Sequence, residues 1–292
     1  MELNLKIDLH MHTTVSDGSD RPDEIIDRVR EAGIGLFAVT DHDAVKGCGI
    51  VRKNLKEGDP LFINGAEFSC KDKFGKYHIL GFNYDQDSWG IKDLIKLGHT
   101  YRMTKVKARL EYIKDKFGFV FSKEDIEELL NLDNPGKPHI GNLMVKYGYA
   151  KDRRQAIREY IDGLRFNLEY VRPEEAIEYI LKAGGIPVLA HPSYGSGDQI
   201  IIGDEMDERL KRLMDFGLQG VEAFYSGFNE KLTEELLGFA KKYDLFVTAG
   251  SDYHGRNKLV VLGDTGCFDP SDVPEGLVKF LRAVGMEECI KG

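Results

Sequence analysis

Lys6-Ile7-Asp8-Leu9-His10-Met11-His12 decides how the rest of the chain is read. Apolar Ile7, Leu9 and Met11 alternate with Asp8, His10 and His12, the two-residue period of a β-strand. Both imidazoles then project from one strand face, about 7 Å apart, within reach of one metal ion or two adjacent ones. Asp17 follows closely and adds a carboxylate to the same end of the strand.

Working outward, Thr13 to Arg21 is polar and contains the turn Asp17-Gly18. Pro22 is expected to open a helix whose apolar stripe is Ile25, Ile26, Val29 and Ala32, with Gly33 closing it. Leu36-Phe37-Ala38-Val39 reads as a short buried strand running into Thr40-Asp41-His42-Asp43. Strand, helix and strand in succession make a βαβ unit and imply a parallel sheet. The apolar run Leu61 to Ala66 ends at Glu67. Lys76 to Phe82 carries His78 and pairs with the preceding strand through Lys73-Phe74-Gly75. Further on, Ile186 to Ala190 ends at His191-Pro192. Gly220 to Phe224 ends at Tyr225-Ser226, and Leu245 to Ala249 ends at Gly250-Ser251-Asp252-Tyr253-His254. Helices are expected over Pro173 to Ala183, Glu230 to Tyr243 and Pro274 to Ala283. Polar chemistry at the carboxyl ends of apolar strands is the arrangement of (β/α) barrel enzymes. No glycine-rich nucleotide loop follows any strand, which removes the main support for a Rossmann-type sheet.

Between His78 and His191 the character changes. Ile91 to Phe117, Lys123 to Leu132, His139 to Tyr147 and Arg153 to Leu164 read as charged helices, punctuated by Gly118, Asn134-Pro135-Gly136 and Gly148. The expected division is a barrel formed by residues 1–90 and 169–292, with residues 91–168 inserted as a helical cap over its mouth.

The 292 residues, 42% hydrophobic and 10% aromatic, suffice for a large core. No apolar run approaches the ~20 residues of a membrane span. The first residues form a charged strand, not a secretory leader, so a cytoplasmic protein is expected. Forty basic against 49 acidic residues give a net charge of −9. That weighs against a stable nucleic-acid partner, whose binding needs a cationic surface. Cys48, Cys70, Cys267 and Cys289 are too dispersed for a zinc finger or a disulfide framework.

Of the eight histidines, His10, His12, His42, His78, His191 and His254 fall at or near strand ends, as do the carboxylates Asp17, Glu67 and Asp252. Imidazole and carboxylate without thiolate suit Zn, Mn or Fe. Three divalent ions with three carboxylates and one bridging hydroxide would leave the cluster at net +2, matched to a phosphate monoester dianion. His99 lies in a polar helix and is expected to do no more than face solvent.

Asp8-Leu9-His10-Met11-His12, Thr40-Asp41-His42-Asp43, Glu67, His78, Ala190-His191-Pro192 and Ser251-Asp252-Tyr253-His254-Gly255 resemble the signature segments of the PHP (polymerase and histidinol phosphatase) family, in order, spacing and strand context. The resemblance runs from the first strand to the last and is nearest to stand-alone bacterial phosphoesterases with a helical insertion. It implies an α/β fold, a distorted seven-stranded (β/α) barrel of TIM-barrel type, with two to three divalent metals. One would be held by His10, His12, Glu67 and Asp252. A second would share Glu67 and add His78 and His191, and a third would take Asp17, His42 and His254. Asp8 and Asp41 would orient imidazoles from behind, unless they are plain structural acids.

The expected chemistry is attack on phosphorus by a hydroxide bridging two metals. The catalytic candidates are Asp17, His191 and His254, and the leaving oxygen would be protonated by Asp17, His191 or a metal-bound water. Lys137-Pro138-His139 stands where relatives commonly carry Arg-Pro-His against substrate phosphate, a point charge replacing a bidentate fork. Lys137, His139 and Tyr225 are therefore the candidate substrate contacts, although His139 could equally be an exposed residue at a helix start. The segments Arg165-Phe166-Asn167-Leu168 and Tyr225-Ser226-Gly227-Phe228-Asn229 depart from the usual pattern. The expected substrate is a small phosphorylated metabolite, a nucleotide such as AMP or a 3′,5′-bisphosphate. Alternatives are a cyclic phosphodiester, histidinol phosphate, or exonuclease-type processing of nucleic acid.

Overall fold

The computed structural model describes residues 2–166, 170–195 and 199–291. Strands β1 (Glu2–Leu3) and β2 (Lys6–Asp8) open the chain. Then come α1 (Ile25–Glu31), β3 (Ile34–Val39), α2 (Lys46–Asn54) and the hairpin of β4 (Leu61–Asp72) with β5 (Gly75–Phe82). A run of helices follows: α3 (Trp89–Phe117), α4 (Lys123–Leu130), α5 (Lys137–Lys146) and α6 (Arg153–Gln155), the last widening into a π-turn over Ala156–Ile161. The chain then alternates through α7 (Pro173–Lys182), β6 (Ile186–Leu189), α8 (Gly203–Asp215), β7 (Gly220–Tyr225), α9 (Glu230–Tyr243), β8 (Phe246–Gly250), α10 (Glu275–Ala283) and β9 (Ile290–Lys291).

β2 to β8 form one seven-stranded sheet in sequential order, and β1 pairs with β9 outside it. Neighbours are parallel except β5, which runs antiparallel to both β4 and β6. The hairpin causes that reversal: Asp72 Oδ1 accepts from the backbone of Phe74 at 2.8 Å and of Gly75 at 3.1 Å, turning the chain with no crossover helix. The first and last strands of the sheet then meet. Leu9 N–H donates to Ala249 O at 2.9 Å, Asp252 N–H to His10 O at 2.8 Å, and His12 N–H to Tyr253 O at 2.8 Å. These bonds close a distorted barrel. Closure needs glycine at 250, where a Cβ would stand 2.3 Å from His10 Cβ and 2.5 Å from Glu222 Oε1.

Leu9, Leu36, Phe68, Leu80, Phe82, Val188, Val221 and Ala249 belong to the main core, with α7 and α10 supplying Ile177, Ile180, Leu277 and Leu281. A second cluster packs Ile25, Ile26 and Val29 of α1 against Phe37 and Val39. The helices after β5 have a cluster of their own, from Val106 and Ile113 through Ile140 and Met144 to Ile161. α3 spans both, because Ile91 and Leu94 in its first turns lie in the main core.

Several local expectations change. β2 ends at Asp8, because the Asp8 carboxylate accepts from the backbone of His10 and draws the chain out of the ladder. α1 begins at Ile25 rather than Pro22, since Arg21 O first closes a turn onto Glu24 and Ile25. α2 and α8 add helices that the apolar pattern did not single out. Glu67 and His78 lie inside strands, not at their ends. The long hairpin rises past its neighbours, and a parallel bridge between His42 and Glu67 sets the middle of β4 level with the end of β3. Asn167, Leu168 and the 168/169 division fall outside the described residues. All four cysteines are free. Among the described residues no helix is long and apolar enough to cross a membrane.

Candidate metal centre

Each residue of the cluster is delivered by a different part of the barrel rim. His10 and His12 follow β2, Asp17 sits in the turn beyond, and His42 follows β3. Glu67 and His78 face each other across the hairpin. His191 follows β6, and Asp252 and His254 follow β8. The backbone is held in the left-handed region at His191 (φ 29°) and Asp252 (φ 59°), a conformation that non-glycine residues keep only where surroundings enforce it.

Glu67 is the hub. Its Oε1 lies 2.8 Å from His78 Nδ1 and 3.0 Å from His191 Nε2, and its Oε2 lies 2.9 Å from His42 Nδ1 and 3.3 Å from His12 Nε2. His10 Nε2 stands 3.2 Å from His12 Nε2, and Asp252 Oδ1 is 3.3 Å from the latter. Asp17 Oδ1 lies 3.2 Å from His254 Nε2, with His12 Nδ1 at 3.8 Å and His42 Nε2 at 3.9 Å. Three sets of ligand atoms are each compact enough for one cation: His12, Asp17, His42 and His254; His10, His12 and Glu67; and His42, Glu67 and His78.

The donor set fits metal ions. Buried Asp17 Oδ1 and His42 Nδ1 make no aligned hydrogen bond despite their close neighbours. Facing nitrogens 3.2 Å apart can share a proton only with one ring as donor, but both can direct lone pairs at a cation with ~2.1 Å bonds. Glu222, inside β7, fixes that choice. Its Oε1 accepts from His10 Nδ1 at 2.9 Å, leaving Nε2 as the lone pair turned to the cluster. Its Oε2 accepts from the backbone of His191 at 2.8 Å. His254 Nδ1 likewise donates to Asp252 O at 2.8 Å and presents Nε2 to Asp17.

The charges stabilise one another. Burial pushes the Glu67 carboxyl up, but the charges of His78, His42 and His10 outweigh it and hold it well below the usual range. Burial likewise opposes ionisation of Asp17 and Asp252; His42 and His254 overcome it at Asp17, and His10 with Lys258 at Asp252. Burial disfavours a proton on His10, yet Glu222, Glu67 and Asp252 raise its pKa well above normal. His12 resists burial in the same way and is raised to about 9 by Asp252 and Glu67.

Asp8 and Asp41 touch no imidazole directly. Asp8 accepts backbone N–H groups of Ser251 at 2.9 Å, Gly263 at 2.8 Å and His10 at 3.2 Å, tying the β8 end to β2; burial lifts its pKa to about 6. Asp41 binds Thr13 through backbone and hydroxyl at 2.8 and 2.7 Å, and reaches His12 only through Ser16, 2.7 Å from Asp41 and 3.4 Å from Nδ1. The orienting contact falls to Glu222, which the sequence reading passed over although an acid in the apolar run Gly220 to Phe224 was its signal.

The candidate substrate contacts are placed differently from one another. Tyr225 OH donates to Asp252 Oδ2 at 2.7 Å and also receives Lys258 Nζ at 3.1 Å, so it steadies a cluster carboxylate. Lys258, also unanticipated, pairs with the same Asp252 oxygen. His139 Nδ1 accepts from the Gly136 backbone at 3.1 Å at the start of α5. Lys137 pairs with Asp162 at 2.5 Å. It lines a cavity of about 340 Å³ with Asp17, His42 and His78 on one side and Arg102, Lys105 and Arg109 of α3 on another.

Residues 8–173 match the model of the PHP domain. The chain is 30% identical to a 3′,5′-nucleoside bisphosphate phosphatase of Chromobacterium violaceum, covering 85% of this chain and 87% of that protein. It is 28% identical to a 5′-3′ exoribonuclease of Haemophilus influenzae, over 88% of this chain and 93% of the relative. Among solved structures, an amidohydrolase from Chromobacterium violaceum with bound sulfate and no metal superimposes with a TM-score of 0.79 at 25% identity, over 96% of each chain.

Proposed function

The chain belongs to the PHP domain family of metal-dependent phosphoesterases and is a hydrolase of phosphoric ester bonds, and from that premise we propose that it removes phosphate from a small phosphorylated metabolite, a nucleotide such as AMP or a 3′,5′-bisphosphate nucleotide. The observation that carries this reading is the convergence of six imidazoles with the carboxylates of Glu67, Asp17 and Asp252, beside a cavity also lined by Arg102, Lys105 and Arg109. On this reading two to three ions of manganese, zinc or iron are held by His10, His12, Glu67 and Asp252, by Glu67, His78 and His191, and by Asp17, His42 and His254. Divalent cations supply, when bound, an ionised water near neutral pH and neutralisation of phosphoryl charge.

The protein's own groups do the positioning. Glu222 fixes the His10 ring and the backbone of His191, while Tyr225 and Lys258 hold Oδ2 of Asp252 so that Oδ1 faces the imidazoles. Asp17 reaches both cluster and cavity. Its low pKa suits a ligand better than a proton store. Residues 91–168 serve in this proposal as a cap that contacts substrate over a barrel of residues 1–90 and 169–292, in a cytoplasmic enzyme without a stable nucleic-acid partner.

The test is phosphate release from AMP, 3′,5′-bisphosphonucleosides, cyclic phosphates and histidinol phosphate by metal-analysed protein. Release from one class, lost in His191→Ala and Asp252→Asn, is expected. No release despite bound metal would overturn the small-monoester reading. A second reading, trimming of RNA from its 5′ end, is favoured by the name of the Haemophilus influenzae relative. Turnover of oligonucleotides with monoesters untouched would select it.

A further inference from the structure

Lys105 and Arg109 lie one helical turn apart on α3, so both side chains face the same way. They are 8% and 6% exposed, about as buried as the carboxylates of the cluster. Among the described residues neither has a carboxylate in ion-pair contact; Asp43 acts on Lys105 and Asp162 on Arg109 only at longer range. Their neighbour Arg102 is different: it pairs with Asp43 and reaches Ser69 Oγ at 3.2 Å. Buried Arg209, elsewhere, donates to Lys76 O at 2.8 Å. Among the described residues Arg109 Nε has no hydrogen-bond partner, as is also true of Nε in Arg102 and Arg209. What the two cations do have is aromatic faces, with Lys105 Nζ 3.6 Å from the centre of Tyr170 and Arg109 5.0 Å from that of Phe166.

Desolvating a cation without a counter-charge is costly, and a ring face offsets only part of it. Like charges at this spacing on one helix repel as well. The strain appears in the amine itself: burial, then the charge of Arg102, lower the Lys105 pKa to about 7. An anion in the cavity would relieve all three costs at once. The cavity also holds Asp17, His42 and His78 of the cluster, so one ligand can meet both walls, and its volume of about 340 Å³ falls within the range of small-molecule sites.

We propose that Lys105 and Arg109 form a second anion subsite, which receives a further phosphoryl group of the molecule whose scissile phosphate meets the carboxylate–imidazole cluster. The preferred substrate is then a small bis-phosphorylated molecule rather than a monophosphate. This deepens the phosphatase reading and rests on it for the identity of the scissile group. A free phosphomonoester dianion suits two adjacent cations better than the single charge of a phosphodiester, which favours a substrate with a free terminal phosphate over one whose phosphates are all in diester linkage.

Two measurements test it separately. In the first, kcat/KM is compared for adenosine 3′,5′-bisphosphate, AMP and the dinucleotide ApA, which has a diester linkage and no terminal phosphate. Wild type should prefer the bisphosphate, and in Lys105→Gln and Arg109→Gln that preference over AMP should fall ~10–100-fold, chiefly through KM. Lys105→Arg should restore most of it, and Lys107→Gln, which removes a charge from the exposed face of α3, should not change it. A preference unaltered in both Gln variants, or ApA used as well as the bisphosphate, would overturn the assignment. In the second, inorganic phosphate is titrated calorimetrically into metal-stripped protein. Saturable binding lost in Arg109→Gln and kept in Lys105→Arg supports the subsite, whereas equal binding in all variants overturns it. If wild type cleaves no monoester yet this pattern of phosphate binding holds, the phosphatase reading fails and the subsite stands.

Discussion

The two walls of the central cavity are built by opposite rules. On the barrel side the buried charges are answered: Glu67 by five imidazoles, Asp252 by Lys258 and Tyr225, and His10 by Glu222. On the α3 side Lys105 and Arg109 are equally buried, with no carboxylate in ion-pair contact among the described residues. The first wall is over-determined and can hold a reactive geometry without help from substrate. The second is completed only by what binds. The difference separates the part of the site that sets the chemistry from the part that selects the molecule.

The strongest blow to this contrast would come at the hub. Glu67→Gln removes the one carboxylate shared by the two sides of the cluster, so bound metal by elemental analysis should fall to at most the site of Asp17, His42 and His254, and phosphate release should fall to background. Retention of full metal content would mean that the barrel wall is not organised around Glu67. A smaller effect is expected at Glu222, which touches the ring of His10 and the backbone of His191. Glu222→Gln should weaken metal affinity ~10–100-fold in a chelator competition, with the fold intact by circular dichroism. An unchanged affinity would leave the ring orientation to packing alone.

The mildest test uses pH. His12 titrates at about 9 in the folded chain against ~6.5 when unfolded, so its contribution to stability is complete below ~6.5 and disappears as pH rises through about 9. Glu67, Asp17 and Asp252 have lowered values, so theirs is present above ~4 and is lost on acidification. Metal-stripped protein should therefore melt highest between pH ~4.5 and ~6.5 and lose ~2–4 °C in Tm for each kcal/mol withdrawn toward pH 9. Cations displace the same protons, so metal affinity should rise across the interval in which the stripped protein weakens. A Tm that climbs toward pH 9 without metal would contradict the charge pairing described for His12.

The ligand-bearing wall was largely legible in the sequence because its residues are rare types at telling places. Five of eight histidines follow strand ends and a sixth, His78, stands within a strand, where a change of residue type stands out against the apolar run. Glu222 was harder to see, since an acid inside a strand reads as one polar residue until its partner across the barrel is known. Asp8 and Asp41 were visible but their contacts were not, because the distances that separate an imidazole partner from a backbone partner arise only when β2 and β8 close. The α3 wall was the least legible. In a helix that carries charges on every side, Lys105 and Arg109 look the same as Lys107 or Lys114.

The sequence by itself determined the strand periodicity, the (β/α) class, the nine imidazole and carboxylate side chains that the structure brings together, and the helical character of the segment after β5. These follow from local pattern and residue chemistry, which short-range sterics and hydrophobic burial enforce wherever the chain ends up. Tertiary structure decided that β5 runs against its neighbours, that Glu67 sits at the hub although it lies in mid-strand, and that two cations of α3 are buried with no carboxylate in ion-pair contact among the described residues. Burial and pairing of a charge depend on what other segments bring beside it, and those contacts join residues far apart in the chain.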